Sequence, residues 1–481
     1  MTADVIKFGT DGWRAIIAQE FTFANVARCS QGLVDYLRER GTVNQGLVVG
    51  YDTRFLSREF ADTVAGVCAG NGVRVYLSEK PAPTPVISFN VLHHGAAGAA
   101  VITASHNPGI WNGFKFKPEY AGSATQEITD RLEAKIASVA EVKSVSVDLG
   151  REQKLVLDFD PTPPYMARIA QLIDLASIKN AGLDIMVDAM FGAGAGYIPA
   201  LLAGGKSTVE ELNGYRNPAF PGMEQPEPIA RNLTTLARRV REDRASVGLA
   251  LDGDADRLGI IDEKGNFIST LEVFSLLALY LLEGKGLRGD LVKGVTASMM
   301  LNKLGEKYHV GVHDMQVGFK YIGPRFSEID ALLGGEESGG YAFRGHIPER
   351  DGVLSGLYIL EYLARTGQTP SQLVQHLFSV VGPHHYQRRD VTFNPEHRGQ
   401  IQQRLRGAAS LTELAGLAVR SSDEIDGRRL IFDGAWLASR FSGTEPLLRI
   451  YCEAESRERV TQLLDAAAEY LGVQDCPGIE G

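Results

Sequence analysis

The sequence has no excess of basic residues, and it contains few cysteines. Its 49 Lys and Arg residues are outnumbered by 59 Asp and Glu residues, so the formal net charge is −10 at pH 7. General nucleic-acid binding needs a basic face that neutralises phosphates, and this charge balance argues against it. The four cysteines, Cys29, Cys68, Cys452 and Cys476, show no metal-type spacing. They indicate reduced thiols in a cytoplasmic protein, without a disulfide or zinc framework.

Long apolar runs are also absent. The longest, residues 274–282, is too short to cross a bilayer and predicts a buried helix. Residues 1–8 lack the basic and apolar regions of a signal peptide, so we expect neither secretion nor a membrane partner. A chain of 481 residues with 44% hydrophobic and 22% charged residues is typical of a soluble globular protein. This length predicts two to four domains.

Short runs of Val, Ile and Leu alternate with segments of helical length as far as about residue 380. This alternation is typical of βαβ units and predicts an α/β fold. One layout occurs three times: an apolar strand, a polar loop of small residues, and another short strand. The three loops are residues 103–108, 252–257 and 334–340. Ligands of open α/β sheets bind at strand ends, so we expect these loops to lie at equivalent positions.

Turn-forming residues at 160–164, 263–266 and 381–383 indicate domain boundaries. Beyond the last of these, the pattern changes to strands near 429–432, 436–439 and 448–453, followed by a helix over 456–470. We therefore predict a small α+β domain after the repeats.

The second loop carries Asp252, Asp254 and Asp256 directly after an apolar run. Three acids so close together repel one another unless a cation lies among them. Three protein ligands suit Mg²⁺, which completes its octahedron with water or phosphate oxygens. An EF-hand is one alternative, because Glu263 falls at its twelfth position, but Arg257 occupies the position that needs glycine. An unliganded acidic turn is the other.

The first loop places Ser105 at the end of an apolar strand, and Pro108 stops that strand. A serine that bonds local backbone is the simpler interpretation, and a neighbouring histidine does not imply a hydrolase pair. His106, Lys115 and Lys320 could each shuttle a proton or stabilise phosphoryl charge. Singly, each is more often an exposed lysine or a satisfied histidine.

Two further loops suggest ligand contacts. Residues 334–340 combine glycine backbone freedom with carboxylates and a hydroxyl, which suits pairs of sugar hydroxyls, although a solvated turn has the same composition. Arg440 and Arg449 flank hydroxyls and a glycine, which are the parts of a phosphate clamp. A charged surface is the alternative for this last stretch.

Together and in this order, the four loops resemble those of the α-D-phosphohexomutase family over nearly the whole chain. The resemblance implies three consecutive similar α/β domains with mixed sheets and a smaller C-terminal α+β domain around a central cleft. We predict a phosphoserine-loop domain over residues 1–160, a metal-binding domain over 161–265, a sugar-binding domain over 266–382 and a phosphate-binding domain over 383–481.

The resemblance also implies a role for each site residue. Ser105 would carry the phosphoryl group and contact Mg²⁺ through it, while Asp252, Asp254 and Asp256 would hold the metal. The other matching positions are Arg14, His106, Lys115 and Arg257 near the phosphoserine, Lys320 as the catalytic lysine of the phosphoglucomutase-like loop, Glu336 and Ser338 on the sugar, and Arg440, Ser442, Gly443, Thr444 and Arg449 on the second phosphate.

The implied reaction interconverts glucose 1-phosphate and glucose 6-phosphate, an intramolecular phosphotransfer of the isomerase class. Phospho-Ser105 would donate to O6, and glucose 1,6-bisphosphate would turn over in the site before returning its other phosphoryl group. The glucosamine and mannose branches often have histidine where Gly340 stands, which together with Gly318, Phe319 and Lys320 favours phosphoglucomutase.

Phosphomannomutase and phosphoglucosamine mutase remain alternatives. Remoter ones are a sugar phosphatase with an aspartate nucleophile in the Asp252 loop, and a non-catalytic regulator that binds sugar phosphates. The expected partner is a hexose phosphate, and the sequence leaves the oligomeric state open.

Overall fold

The first sheet of the computed structural model, which describes residues 5–441, 447–476 and 478–480, is mixed. Its strands are β1 (Trp13–Ile16), β2 (Leu47–Tyr51), β3 (Val75–Ser78), β4 (Gly98–Ile102), β5 (Trp111–Pro118) and β6 (Val156–Phe159). They lie in the order β1-β5-β4-β2-β3-β6, and β5 runs antiparallel to both β4 and β1. The accompanying helices are α1 (Phe23–Glu39), α2 (Ser57–Gly70), α3 (Thr84–His94), α4 (Gln126–Ser138) and α5 (Val147–Glu152).

The second sheet repeats this arrangement. Its strands are β7 (Asp184–Asp188), β8 (Thr208–Leu212), β9 (Val247–Leu251), β10 (Leu258–Ile261) and β11 (Phe267–Ile268), in the order β11-β10-β9-β7-β8. The helices are α6 (Thr162–Leu172), α7 (Leu175–Asn180), α8 (Tyr197–Leu202) and α9 (Thr234–Glu242). The short strand β11 joins this sheet from beyond the predicted bound at residue 265.

The third sheet is smaller and has the order β13-β12-β14-β15. Its strands are β12 (Leu291–Gly294), β13 (Val312–Met315), β14 (Leu333–Gly335) and β15 (Tyr341–Phe343), and its helices are α10 (Thr270–Leu279), α11 (Met300–Tyr308), α12 (Phe319–Glu328), α13 (Gly352–Thr366) and α14 (Pro370–Val381). The predicted buried helix near residue 274 is confirmed as α10. It begins where Ser269 and Glu272 form a reciprocal capping box.

The predicted threefold repeat is confirmed by strand pairing. In each domain a parallel strand, β4, β9 or β14, enters a polar loop and returns as an antiparallel neighbour, β5, β10 or β15. The serine, aspartate and glutamate loops therefore occupy equivalent positions at three strand ends.

The last domain is built on antiparallel strands, as predicted. They are β16 (His385–Thr392), β17 (Glu413–Leu414), β18 (Leu417–Ala418), β19 (Ser421–Asp423), β20 (Arg428–Phe432), β21 (Ala435–Phe441), β22 (Leu447–Ala454) and β23 (Gly478–Glu480), with helices α15 (Arg398–Gly407) and α16 (Arg457–Leu471). The main sheet has the order β19-β20-β21-β22-β16-β23. The predicted fold class is therefore confirmed.

Most of the last domain's apolar side chains pack in a core of their own, apart from a small cluster in which Met299 of the third domain contacts Trp436 and Tyr451. One core is continuous through the first three domains and includes Val48, Leu249 and Leu357. The last domain packs Ile450 and Leu463 in a core of its own. Across the described residues, no helix combines the length and apolar character needed to cross a membrane.

Candidate active site

Ser105 lies at the end of β4 in a left-handed backbone conformation, with φ of 52°. Such a conformation is uncommon for a residue with a side chain and occurs preferentially at functional sites. The residue is 1% exposed, and its hydroxyl donates to Asp252 Oδ2 at 2.9 Å. His106 Nδ1 lies 3.3 Å from the same hydroxyl oxygen. The structure therefore brings the serine loop and the aspartate loop into direct contact.

Arg54, which sequence reasoning missed, holds the serine loop in shape. Its guanidinium is fully buried and donates to the carbonyls of Ser105, Asn107, Pro108 and Trp111. An ion pair of 3.1 Å with Asp52 compensates the buried charge. The two charged residues directly after the apolar strand β2 are the signal that could have indicated this role.

The three aspartates form a buried cluster. One ligand oxygen from each of Asp252, Asp254 and Asp256 lies within 4.8 Å of the others. Burial and the two neighbouring carboxylates raise the pKa of Asp252 well above its ordinary value. Burial would also raise the pKa of Asp254, but Lys115 and Thr84 bind its carboxylate and lower it. The cluster therefore carries negative charge that a cation would neutralise.

The donor set fits a hard divalent cation. Oδ1 of Asp254 and Oδ1 of Asp256 are buried and have no hydrogen-bond partner among the described residues. Buried carboxylate oxygens without a partner are costly unless they coordinate a metal. The EF-hand alternative does not fit, because the loop joins β9 to β10 and Glu263 accepts hydrogen bonds from Thr369 and Ser371.

Lys115 lies fully buried among acids. Its Nζ is 2.8 Å from Asp254 Oδ2 and 2.9 Å from Asp11 Oδ2, with Asp256 Oδ2 at 3.7 Å. Burial alone would lower the pKa of Lys115, but these carboxylates raise it above its ordinary value. These acids favour the protonated amine, which suits charge compensation.

Three other predicted residues surround the serine loop. Arg14 donates to Asn107 Oδ1 at 2.7 Å, and the Arg257 amide donates to Asp252 Oδ1 at 3.0 Å. Burial, with the charges of Arg257 and Arg14, lowers the pKa of His106 well below its ordinary value. His106 is therefore neutral at pH 7, and the same positive charges oppose its protonation.

A buried network of charges that the sequence did not reveal joins three domains. Arg350 contacts Asp256 Oδ2 at 2.7 Å and Asp11 Oδ2 at 2.8 Å. Lys117 lies between Asp11 and Glu349, with Nζ–oxygen distances of 2.8 and 2.5 Å. These contacts connect residues up to 339 positions apart in the chain, so no local pattern predicts them. The only local signal is the charged run 349–351 directly before the apolar helix α13.

The glutamate loop faces this network. Glu336 is 8% exposed, accepts the Gly318 N–H at 2.9 Å, and lies 3.7 Å from Arg350 Nη1. Ser338 follows in a half-buried position. Lys320 lies elsewhere: its Nζ donates to Gln126 Oε1 of the first domain at 2.7 Å. Within the part of the chain that the structure describes, Lys320 has no contact with Ser105 or the three aspartates.

The predicted clamp lies in the last domain. Arg440 and Arg449 are direct partners in the register of β21 and β22. Ser442, Gly443 and Thr444 lie outside the described residues. Asp426 lies 3.2 Å from Arg440 Nε, and Asp390 lies 3.7 Å from Arg449 Nε. The two arginines thus lie directly opposite each other on neighbouring strands.

Four domain models of one family match the chain. They are phosphoglucomutase/phosphomannomutase alpha/beta/alpha domain I over residues 5–143, domain II over 163–265, domain III over 271–381, and the C-terminal domain over 401–470.

Curated relatives and solved structures agree with these matches. The chain is 31% identical to a phosphoglucomutase/phosphomannomutase of Thermococcus kodakarensis, with 96% of this chain and 98% of the relative covered. It is 30% identical to a protein of Methanopyrus kandleri named "Probable phosphoglucosamine mutase", with 95% and 96% covered. The structure of a candidate phosphomannomutase from Thermus thermophilus superposes with a TM-score of 0.85 at 34% identity, covering 98% of this chain and all of that one.

Proposed function

Because the chain belongs to the phosphoglucomutase/phosphomannomutase family of hexose-phosphate isomerases, we propose that it interconverts glucose 1-phosphate and glucose 6-phosphate through phospho-Ser105. One observation carries the proposal: the Ser105 hydroxyl lies 2.9 Å from Asp252 Oδ2, inside the buried cluster of three aspartates. A hydroxyl held against a cation site can bear a phosphoryl group whose charge the cation neutralises.

Different side chains of the site contribute to different parts of the phosphoryl transfer. Mg²⁺ held by Asp252, Asp254 and Asp256 would neutralise charge on the phosphoryl oxygens. Phosphoryl transfer depends mainly on positioning and charge stabilisation. Arg14 and Arg257 supply positive charge beside the serine loop, and Lys115 holds the metal-binding carboxylates in place.

The first transfer breaks the bond between phosphorus and Ser105 Oγ and forms a bond between phosphorus and sugar O6. The O6 proton needs an acceptor, and His106 is the candidate by position, since its Nδ1 lies 3.3 Å from Ser105 Oγ. The glucose 1,6-bisphosphate formed then reorients in the site, and its other phosphoryl group is transferred to Ser105. Glu336 and Ser338 would bind the sugar in both orientations, and Arg440 and Arg449 would hold whichever phosphate is not reacting.

Preference for glucose is supported by Gly340. A Cβ at this position would lie 2.4 Å from Cδ of Arg350, so Arg350 occupies the space that a side chain at 340 would need. Arg350 binds Asp256 and Asp11, and moving it would disturb the site. A histidine at 340, as in the glucosamine and mannose branches, is therefore incompatible with this arrangement.

Intact-mass measurement of the purified protein tests the proposal. We expect one phosphate on the wild type and none on Ser105→Ala, whose mutase activity should fall at least about 10⁴-fold, because nucleophile and leaving group are the same atom. Ser138→Ala is the matched control, since Ser138 is an exposed serine of the same domain. Full mutase activity in Ser105→Ala would refute the proposal.

The two remoter alternatives give different results in the same experiment. A phosphatase with an aspartate nucleophile would release inorganic phosphate from both proteins, and a regulator would bind sugar phosphate without turnover. Parallel assays with glucose, mannose and glucosamine 1-phosphates then test the sugar. We expect kcat/KM to be highest with glucose, and a higher value with either other sugar would correct that part of the proposal.

A further inference from the structure

Two adjacent glutamates of the third domain are connected to the last domain by two separate routes of polar contacts. Glu336 and Glu337 follow β14 directly. Each is connected through an aspartate of the last domain to one of the two clamp arginines, as the contacts below show. The first three domains share one apolar core, and the last domain has its own. Polar contacts of this kind join the last domain to the third, together with a small apolar cluster in which Met299 packs against Trp436 and Tyr451.

The first route begins at Glu337. Tyr386 Oη donates to Glu337 Oε1 at 2.9 Å, and Arg388 Nη1 donates to the same oxygen at 3.3 Å. Arg388 Nε lies 3.0 Å from Asp390 Oδ1, and the other oxygen of Asp390 lies 3.7 Å from Arg449 Nε. Asp390 and Arg449 are also direct partners in the register of β16 and β22. We call this route the Asp390 chain.

The second route begins at Glu336. Its Oε1 accepts the N–H of Gly318, and the preceding N–H, that of Val317, donates to Asp426 Oδ2 at 3.0 Å. The same oxygen of Asp426 lies 3.2 Å from Arg440 Nε. A single peptide segment thus connects the glutamate to the aspartate. We call this route the Asp426 chain.

Around the clamp, three positive charges are matched by three negative ones. Arg388, Arg440 and Arg449 supply three positive charges, and three carboxylates lie within ion-pair distance of them: Glu337, Asp390 and Asp426. All six side chains are at most one-third exposed, which reduces screening by solvent. An arginine between an aspartate and an incoming phosphate is already oriented, so less conformational freedom is lost on binding.

We propose that Asp390 and Asp426 are positioning residues that orient Arg449 and Arg440 and connect each of them to one glutamate of the sugar-binding loop. This inference rests on the proposed function, since it assigns the loop to the sugar and the arginines to the phosphate. Sugar hydroxyls that bind Glu336 or Glu337 change the contacts of these glutamates. Because each glutamate is connected to one clamp arginine, these changes also alter the orientation of Arg449 or Arg440. This holds for both orientations of the bisphosphate intermediate.

A double-mutant cycle on kcat/KM tests whether the chains exist. We expect Glu337→Gln to lower kcat/KM about 5-fold, and Asp390→Asn and Asp426→Asn about 10-fold each. The Glu337→Gln, Asp390→Asn double variant should lose no more kcat/KM than Asp390→Asn alone, because both substitutions interrupt the Asp390 chain. Combining Glu337→Gln with Asp426→Asn should multiply the losses to about 50-fold, because the two changes cut different chains.

The affinity for inorganic phosphate, measured together with the melting temperature, separates positioning from general damage to the domain. Asp390→Asn removes the carboxylate that orients Arg449, so we expect the Kd of inorganic phosphate to rise about threefold at an unchanged melting temperature. General damage to the domain would lower the melting temperature as well. Asp433→Asn is the matched control, because it removes an exposed partner of Arg420 in the same domain. It should change neither kcat/KM nor the Kd more than about twofold.

Two outcomes would overturn the proposal. One is a multiplicative loss in the Glu337→Gln, Asp390→Asn double variant, and the other is an Asp390→Asn effect no larger than that of Asp433→Asn. The same cycle is also measured as calorimetric binding of glucose 1-phosphate to the corresponding Ser105→Ala proteins. If the wild type has no mutase activity, the proposed function is refuted. The double-mutant cycle on glucose 1-phosphate binding would still show whether Asp390 and Asp426 position the clamp arginines.

Discussion

At the scale of single residues, buried compensating charges matter as much as the reacting groups. Lys115 illustrates this, because three carboxylates surround it and favour its protonated form. In that form it supplies positive charge to the aspartate cluster. His106, whose Nδ1 lies 3.3 Å from Ser105 Oγ, is by position the better candidate to accept a proton.

Arg54 leads to a prediction at the same scale. Replacing it with Met leaves Asp52 buried and unpaired and removes the donor to four carbonyls of the serine loop. We expect Arg54→Met to lower the free energy of unfolding by about 3–5 kcal/mol, measured by urea denaturation. Arg238→Met, which breaks an exposed pair with Glu242, should cost less than about 1 kcal/mol. Equal losses in the two variants would contradict this view of Arg54.

At the scale of elements, the site depends on how closely the loops after β4 and β9 approach each other. Gly253 lies at the contact: a Cβ there would stand 2.4 Å from the Ser105 carbonyl oxygen. Real Cβ atoms do not approach a backbone oxygen so closely. A side chain at 253 must therefore push the aspartate loop away from the serine.

We expect Gly253→Ala to lower mutase kcat/KM about 100-fold, because a displacement near 1 Å between reacting groups costs about that much. The melting temperature should fall as well, because the buried loop must shift to admit the methyl group. Gly399→Ala is the control, because no atom lies within 4 Å of a Cβ at that position in α15. If activity assays show less than about a threefold loss for Gly253→Ala, the loops are not held in contact as described.

At the scale of the whole molecule, a buried carboxylate connects the last domain to the third. Glu453 of β22 is 1% exposed and accepts hydrogen bonds from Ser298, the Met299 N–H and Trp436. His384, just before β16, contacts the same carboxylate. Burial would raise the pKa of Glu453, but the hydrogen bonds from His384 and the other donors lower it below its ordinary value.

A carboxylate with a lowered folded-state pKa stabilises the fold at pH values above its ordinary pKa and loses this contribution as the pH falls. Glu453→Gln keeps an oxygen for the Met299 and Trp436 N–H groups but replaces charge-assisted hydrogen bonds with neutral ones, so we expect it to lose about 1–2 kcal/mol of unfolding free energy at pH 7. The difference from wild type should shrink below about pH 4. Urea unfolding at neutral pH and at about pH 3.5, followed by tryptophan fluorescence, measures both values. A difference that grows at low pH would contradict this assignment.

The sequence by itself determined the features that follow from local patterns. Apolar strands that end in polar loops predicted the threefold repeat, because side-chain alternation and turn residues act over a few positions. The acidic triplet 252–256 and its position after a strand predicted a cation site, since three carboxylates in five residues repel one another wherever the chain folds.

Only the tertiary structure decided which groups compensate these charges. Arg350 and Asp11 are 339 residues apart, and Arg54 and Ser105 are 51 apart, so no spacing along the chain indicates either pair. Lys320 is a further case, because the sequence offers it as a candidate catalytic lysine and the fold places its amine against Gln126. Contacts of this kind depend on how distant segments and whole domains pack, and that packing is a property of the complete core rather than of any local segment.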